Sequence, residues 1–265
     1  MHIEQIDSLL RELLGPGCNL PGEYGFTSTA CQQVTKIGYA TNLTPHTVQG
    51  AIEHKVDLLL THHDAWGFVY GMSDACHEAL EINGISHLYA HLPLDSAPFG
   101  TAASLITSIG AEISGDIALE KGLACGRTAR FRQPVALATV AEALKATCKE
   151  DPQVWSLGAD QIERIGVVTG AGSMTNYAKE AHDQGCQLYI TGERSLYLVQ
   201  YCLLVGMNLA VCSHTFTELP GVKALAAKVS DLVPGIQVIE IPESHDELMP
   251  NKAVRWPPLR DATDL

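Results

Sequence analysis

The sequence is short of positive charge. Seventeen Lys and Arg stand against thirty Asp and Glu, a formal net charge of −13 at pH 7 with His neutral. A long nucleic acid or an anionic membrane surface needs a basic face, so nucleic acid is an unlikely partner and no membrane is expected as one. Apolar runs are short as well, and none approaches the roughly 18 residues of a membrane span. Eight cysteines are present, at positions 18, 31, 76, 125, 148, 186, 202 and 212, yet no two form a Cys-x-x-Cys pair. They read as small buried hydrophobes in a reducing compartment rather than as a disulfide framework. No His-Glu-x-x-His of the zincin type occurs. Gly170-Ala171-Gly172 has the look of a phosphate-cradling turn, but Thr175 stands where a dinucleotide fingerprint needs its third glycine, which leaves a tight structural turn. Residues 1–14 carry Glu4, Asp7, Arg11 and Glu12 at helical spacing and lack the form of a signal peptide, so the expected location is cytoplasmic.

What is present is a globular composition, 46% apolar and 18% charged over 265 residues, enough for one large domain or two modest ones. Within it a pattern occurs twice. IGYATNLTPHTVQGAIEHKVDLLLTH (37–62) runs in parallel with IGVVTGAGSMTNYAKEAHDQGCQLYITG (165–192). Each copy starts with Ile-Gly and a short apolar strand. A polar turn and a helix follow, then a second apolar strand that reaches Thr61 or Thr191. ISHLYAHLPLD (85–95) and MNLAVCSHTFTE (207–218) extend the parallel, each giving a strand, a His, and an acid four positions on. Short, continuous, apolar strands alternating with helices predict an α/β fold with largely parallel sheets, covered on both faces. The expected organisation is two similar α/β halves, an internal pseudo-repeat, with a metal cleft between them. Residues 1–115 form the first half, 116–160 a connecting segment with a helix near Val140–Thr147, 161–241 the second half, and 242–265 an irregular, proline-rich tail.

Sites in open parallel sheets lie outside the carboxyl ends of the strands. His62-His63, His91 with Asp95, His214 with Glu218, and Thr191-Gly192-Glu193 all fall where a predicted strand runs out. If the halves face each other, these ends bring at least three His and two carboxylates together. Imidazole and carboxylate in mixture suit Zn, Mn, Fe or Ni. Five protein ligands exceed what one open catalytic ion takes, and they suit two divalent ions about 3.5–4 Å apart holding a water or hydroxide between them. Adjacent histidines on an extended chain point opposite ways. Either a turn follows Thr61 or each of two ions receives one His. Trp66 and Phe68 read as packing residues beside this site. His245, Asp246 and Glu247 in the tail could cover it.

The segments LLLTHH, HLPLD, YITGE and SHTFTE, in this order, resemble the dinuclear-metal-centre proteins known as GTP cyclohydrolase 1 type 2 homologues, the Nif-three-like family. The likeness covers about residues 1–241. It implies a two-part α/β fold, a toroidal homohexamer with metals facing an internal cavity, and a metal-dependent hydrolase-like activity on a small-molecule substrate that it leaves undefined. It places the metal ligands on His62, His63, Asp95, His214 and Glu218, and His91 beside the metals. His91 or Glu193 would then move protons. The departures are Asn19-Leu20-Pro21-Gly22 where Asn-Gly-Leu-Gln is common, Thr101 after Gly100 where Asn is common, and Ser213 in place of a Gly. The expected chemistry is hydrolysis by a metal-bridging hydroxide at a nucleotide, cyclic amide or phosphoester. The alternative is a non-catalytic metal-binding scaffold or regulatory interaction protein assembled as a ring.

Overall fold

A computed structural model describes residues 1–246, so Glu247 and the rest of the expected tail lie outside the described residues. In chain order the elements are α1 (Ile3–Leu14), β1 (Tyr24–Ser28), β2 (Lys36–Asn42), α2 (Pro45–Glu53), β3 (Leu58–His63), α3 (Met72–Ile82), β4 (Ser86–Ala90), α4 (Leu92–Ser96), α5 (Thr101–Ser108), β5 (Glu112–Glu120), β6 (Leu123–Ala136), α6 (Leu137–Cys148), β7 (Gln153–Trp155), β8 (Gln161–Val168), α7 (Thr175–Asp183), β9 (Leu188–Thr191), α8 (Leu196–Val205), β10 (Asn208–Val211), α9 (His214–Leu232) and β11 (Gln237–Glu240). The chain divides into two compact units. The first comprises Met1–Ala97 with the chain from Val222 onward, and the second is Pro98–Gly221. Among the described residues no helix is long and apolar enough to cross a membrane. None of the eight cysteines forms a disulfide, and six of them are buried.

The first unit holds a five-stranded sheet in the order β1-β4-β3-β2-β11. Pairing is parallel between β2 and β3, β3 and β4, and β11 and β2, and only β1 joins antiparallel. The central strand β3 is buried at every residue, as its uninterrupted Leu58-Leu59-Leu60 requires. Helix α2 starts where the polar turn predicted it. Thr44 caps it by accepting from the Thr47 N–H at 3.2 Å, and Pro45 occupies its first turn. Leu59, Val48, Ala51, Cys76 and Leu80 pack the sheet against α2 and α3.

The second unit holds a six-stranded sheet in the order β5-β6-β8-β9-β10-β7. Parallel pairing is confined to β8-β9 and β9-β10, while β5-β6, β6-β8 and β10-β7 are antiparallel. This sheet is therefore mixed, where a largely parallel one was expected. One of its antiparallel pairs, β5-β6, comes from a tight hairpin. Lys121 and Gly122 both take positive φ, 49° and 83°, directly between Glu120 and its partner Leu123, the geometry of a two-residue turn that reverses a strand on itself. The described chain is thus a mixed α/β fold with two sheets.

Candidate metal centre

In the first unit, His62 and His63 end β3 and are both buried. Thr61 donates its hydroxyl to the His63 carbonyl at 2.7 Å, and the two rings lie with centroids 4.3 Å apart and planes inclined by 51°. Adjacent side chains on a strand would ordinarily diverge. His91 follows β4 and precedes α4, with ring centroids 5.1 Å from His62 and 5.2 Å from His63. One ring nitrogen of each of these three histidines lies within 4.8 Å of the other two.

The hydrogen bonds show which nitrogen that is. His62 donates Nδ1–H to the Ala90 carbonyl at 2.8 Å. His63 donates Nδ1–H to Asn42 Oδ1 at 2.9 Å. His91 donates Nδ1–H to Glu23 Oε2 at 2.6 Å, and its backbone N–H to the Glu23 carbonyl at 2.9 Å. Each ring therefore carries its lone pair on Nε2. A carbonyl, an amide and a carboxylate behind three imidazoles is the outer arrangement that metal-ligating histidines use to fix tautomer and ring angle. Asp95 adds a carboxylate from α4, buried and with Oδ1 3.4 Å from His62 Nε2.

In the second unit, His214 and Glu218 stand one turn apart at the start of α9, with His214 Nε2 3.3 Å from Glu218 Oε2. His214 donates Nδ1–H to Glu193 Oε1 at 2.7 Å, which leaves Nε2 as the nitrogen facing Glu218. Burial works to lower the His214 pKa, but the Glu218 charge and the bonds to Glu193 and Glu218 override it and push the imidazole up to about 11. Two carboxylates around one imidazole call for a cation, which a proton or a metal ion can supply. Glycines leave room for these groups. A Cβ on Gly170, whose φ is +59°, would collide with Glu218 Oε1 and fall 2.8 Å from His214 Nε2, and a Cβ on Gly192 would meet the His214 Cα at 2.8 Å. The turn around Gly170-Ala171-Gly172 is thus a wall that admits the His214-Glu218 pair. Thr217 ties it down, accepting from the Gly170 N–H at 3.0 Å and donating to the His214 carbonyl at 2.8 Å.

The first unit accordingly gathers His62, His63, His91 and Asp95, and the second gathers His214, Glu218 and Glu193. In the first set His62, His63 and His91 form a cluster that could bind metal, and its imidazole and carboxylate chemistry, like that of the His214-Glu218 pair, suits a divalent ion of the Zn, Fe, Mn or Ni kind. A third group, Asp64, His77 and His87, also clusters, but its atoms are committed otherwise. His77 pairs with Asp64 at 2.8 Å, and both nitrogens of buried His87 are taken by the Thr27 and Thr61 hydroxyls. Burial lowers the His87 pKa to about 3, so it stays neutral. Four supporting residues have no motif to announce them: Glu23 behind His91, Asn42 behind His63, Glu150, which accepts from both the backbone and hydroxyl of Ser213, and Glu243, which holds Asn42. Only Asn42 carried a local signal, as part of the polar turn after β2.

The chain is similar to several known proteins. The sequence profile of the family described as Duf34/NIF3 (NGG1p interacting factor 3) matches residues 8–247. A Pyrococcus abyssi protein named "GTP cyclohydrolase 1 type 2 homolog" is 28% identical over 239 residues, covering 87% of this chain and 94% of its own. One of the same name from Halobacterium salinarum is 28% identical over 208 residues, 76% of this chain and 81% of its own. Among solved structures, the protein ybgI, described as of unknown function, superposes with a TM-score of 0.81 at 22% identity over 92% of this chain and 99% of its own. A Thermus thermophilus protein gives 0.78 at 25% identity over 93% and 100%.

Proposed function

The chain belongs to the Duf34/NIF3 family, and we propose that it is a dinuclear-metal-dependent hydrolase acting on a small substrate. In this reading His62, His63, Asp95, His214 and Glu218 jointly hold two divalent ions. The observation that carries it is the common orientation of four imidazoles. His62, His63, His91 and His214 each spend Nδ1–H on a protein acceptor and turn Nε2 toward other ligand-type groups. Neither set alone is a full complement for two ions, and together they are.

A pair of divalent ions, when bound, lowers the pKa of water and stabilises developing negative charge on an oxygen. The protein's own part is positioning and proton transfer. His91 is 38% exposed at its side chain, so it links the buried cluster to solvent, and Glu23 holds its ring at the angle needed to pass a proton through Nε2. Glu193, 43% exposed and bonded to His214, is the second group placed to exchange protons with solvent. The substrate classes that fit are a nucleotide, a cyclic amide or a phosphoester, and the name carried by the relatives points to guanine-nucleotide ring opening. A second reading, a metal-holding scaffold assembled as a homohexameric ring, is favoured by the apolar face of α8. Tyr197 and Leu204 there are 71% and 84% exposed, joined by Leu196 and Leu203.

The two readings separate in one experiment. The metal-loaded protein is screened against nucleotides, cyclic amides and phosphoesters with and without chelator. The enzyme reading expects turnover that chelation abolishes and that His62→Ala and Glu218→Ala each reduce by at least about 100-fold. Full metal loading with no turnover on any class would leave the scaffold.

A further inference from the structure

The chain does not leave the first unit when β11 ends. Strand β11 runs parallel to β2 with Glu240 level with Tyr39, and the Ile241 N–H continues the ladder to the Tyr39 carbonyl at 2.9 Å. Ile241 is anchored in the glycine notches of Gly38 and Gly50, where any Cβ would fall within 3.0 Å of its side chain. That register carries residue 243 alongside the end of β2. There Glu243 Oε2 accepts from the Thr41 N–H at 2.6 Å, and Oε1 accepts from the Asn42 N–H at 3.1 Å and the Asn42 Nδ2–H at 2.9 Å. Asn42 in turn presents Oδ1 to His63 Nδ1 at 2.9 Å.

An amide side chain can turn either end toward a neighbour, and its partners decide which. A carboxylate accepts and does not donate, so Glu243 draws the Nδ2 end of Asn42 and leaves Oδ1 for His63. Oδ1 accepts and does not donate, so His63 must hold its proton on Nδ1 and its lone pair on Nε2. If the amide were reversed, Nδ2–H would face His63 Nδ1, and the ring would keep its lone pair there instead. We propose that Glu243 is a positioning residue for His63, setting the Asn42 amide and through it the metal-ready tautomer. The proposal rests on the reading of His63 as a metal ligand. It makes the segment after β11 part of the metal centre, and not merely a strap along β2. Burial pushes the Glu243 carboxyl up to about 7 against the N–H donors that favour its charge, so the carboxylate is held there at a cost.

The test measures Zn²⁺ and Mn²⁺ affinity by competition with a chromogenic chelator, and the His63 tautomer in the metal-free protein by ¹⁵N NMR of the imidazole. Glu243→Ala and Asn42→Ala are each expected to weaken binding about 10-fold, the lower end for outer residues behind a ligand. The double variant should be no weaker than either single one, because both cut the same path. In an Asn42→Asp background Glu243→Ala should have no effect on affinity, since a carboxylate at that position faces His63 with an acceptor whichever way it turns. A strap that only holds the chain in place would still lose affinity there. Should Glu243→Ala not fold, Glu243→Gln takes its place. Its amide can direct either end at Asn42, so a second His63 tautomer is expected in its spectrum. Wild-type affinity in folded Glu243→Ala, a single unchanged tautomer in Glu243→Gln, or additive losses in the double variant would each overturn the proposal. His63→Ala is the control for the reading beneath it. Metal lost there but kept in Glu243→Ala defeats this inference alone, while metal kept in His63→Ala defeats His63 as a ligand.

Discussion

His214 is the residue whose environment speaks most directly to pH. It lies half-buried between Glu193 and Glu218, and their charge and hydrogen bonds raise its pKa to about 11 against the pull of burial. A proton therefore fills the place of a cation at neutral pH when no metal is bound, and metal must displace it. Zinc binding at pH 7 to 8 is expected to release about one proton per chain on account of His214, and affinity should rise about tenfold per pH unit for that proton. Calorimetry in buffers of different ionisation enthalpy measures the release. A pH-independent affinity with no proton released would exclude His214 as a ligand. At this scale the sequence reveals the residues at strand ends and little behind them. His62, His63, Asp95, His214 and Glu218 stand out because imidazoles and acids right after apolar strands are costly to place without a purpose. Glu23 and Glu243 do not stand out. Glu23 is 68 positions from His91, and Glu243 is 201 from Asn42. Their partners are brought together by sheet pairing alone, β1 against β4 and β11 against β2.

At the scale of elements, a strand was legible where its apolar run was continuous and hidden where it was not. β3 and β9 are buried throughout and read directly from LLL and LYI. β5 is largely exposed along its length, with Ile117 and Ala118 as its buried residues, so it offers little apolar signal against a background of turns. β6 is long but polar in its second half and contains Pro134. Both emerge from the Lys121-Gly122 hairpin, and a turn signal of two residues is easily passed over between weak strands. α6 was visible as a helix because Leu137, Val140, Leu144 and Cys148 fall on one buried face. α8 presents the opposite case, apolar on nearly every side apart from exposed Gln200, while burying only Leu198 and Cys202. Its exposed Leu196, Tyr197, Leu203 and Leu204 form the face proposed above for a ring of copies. Leu204→Asp is expected to convert a ring of copies to smaller species by light scattering while leaving the circular dichroism spectrum unchanged. A monomeric wild-type protein, or a variant of undiminished mass, would remove α8 from any interface.

At the scale of the molecule, the first compact unit carries an imidazole-rich cluster and the second a His-Glu pair walled by glycines. The strongly acidic chain makes bound cations the natural source of local positive charge for an anionic substrate. If both serve one dinuclear centre, as proposed, the metal content of single variants reports it. Protein reloaded with zinc or manganese and freed of excess should hold about two ions per chain. His62→Ala in the first unit and Glu218→Ala in the second should each lose both ions, because a shared pair does not survive the loss of either side. Wild-type protein that binds none, or two variants that each keep one ion undisturbed, would contradict a shared centre.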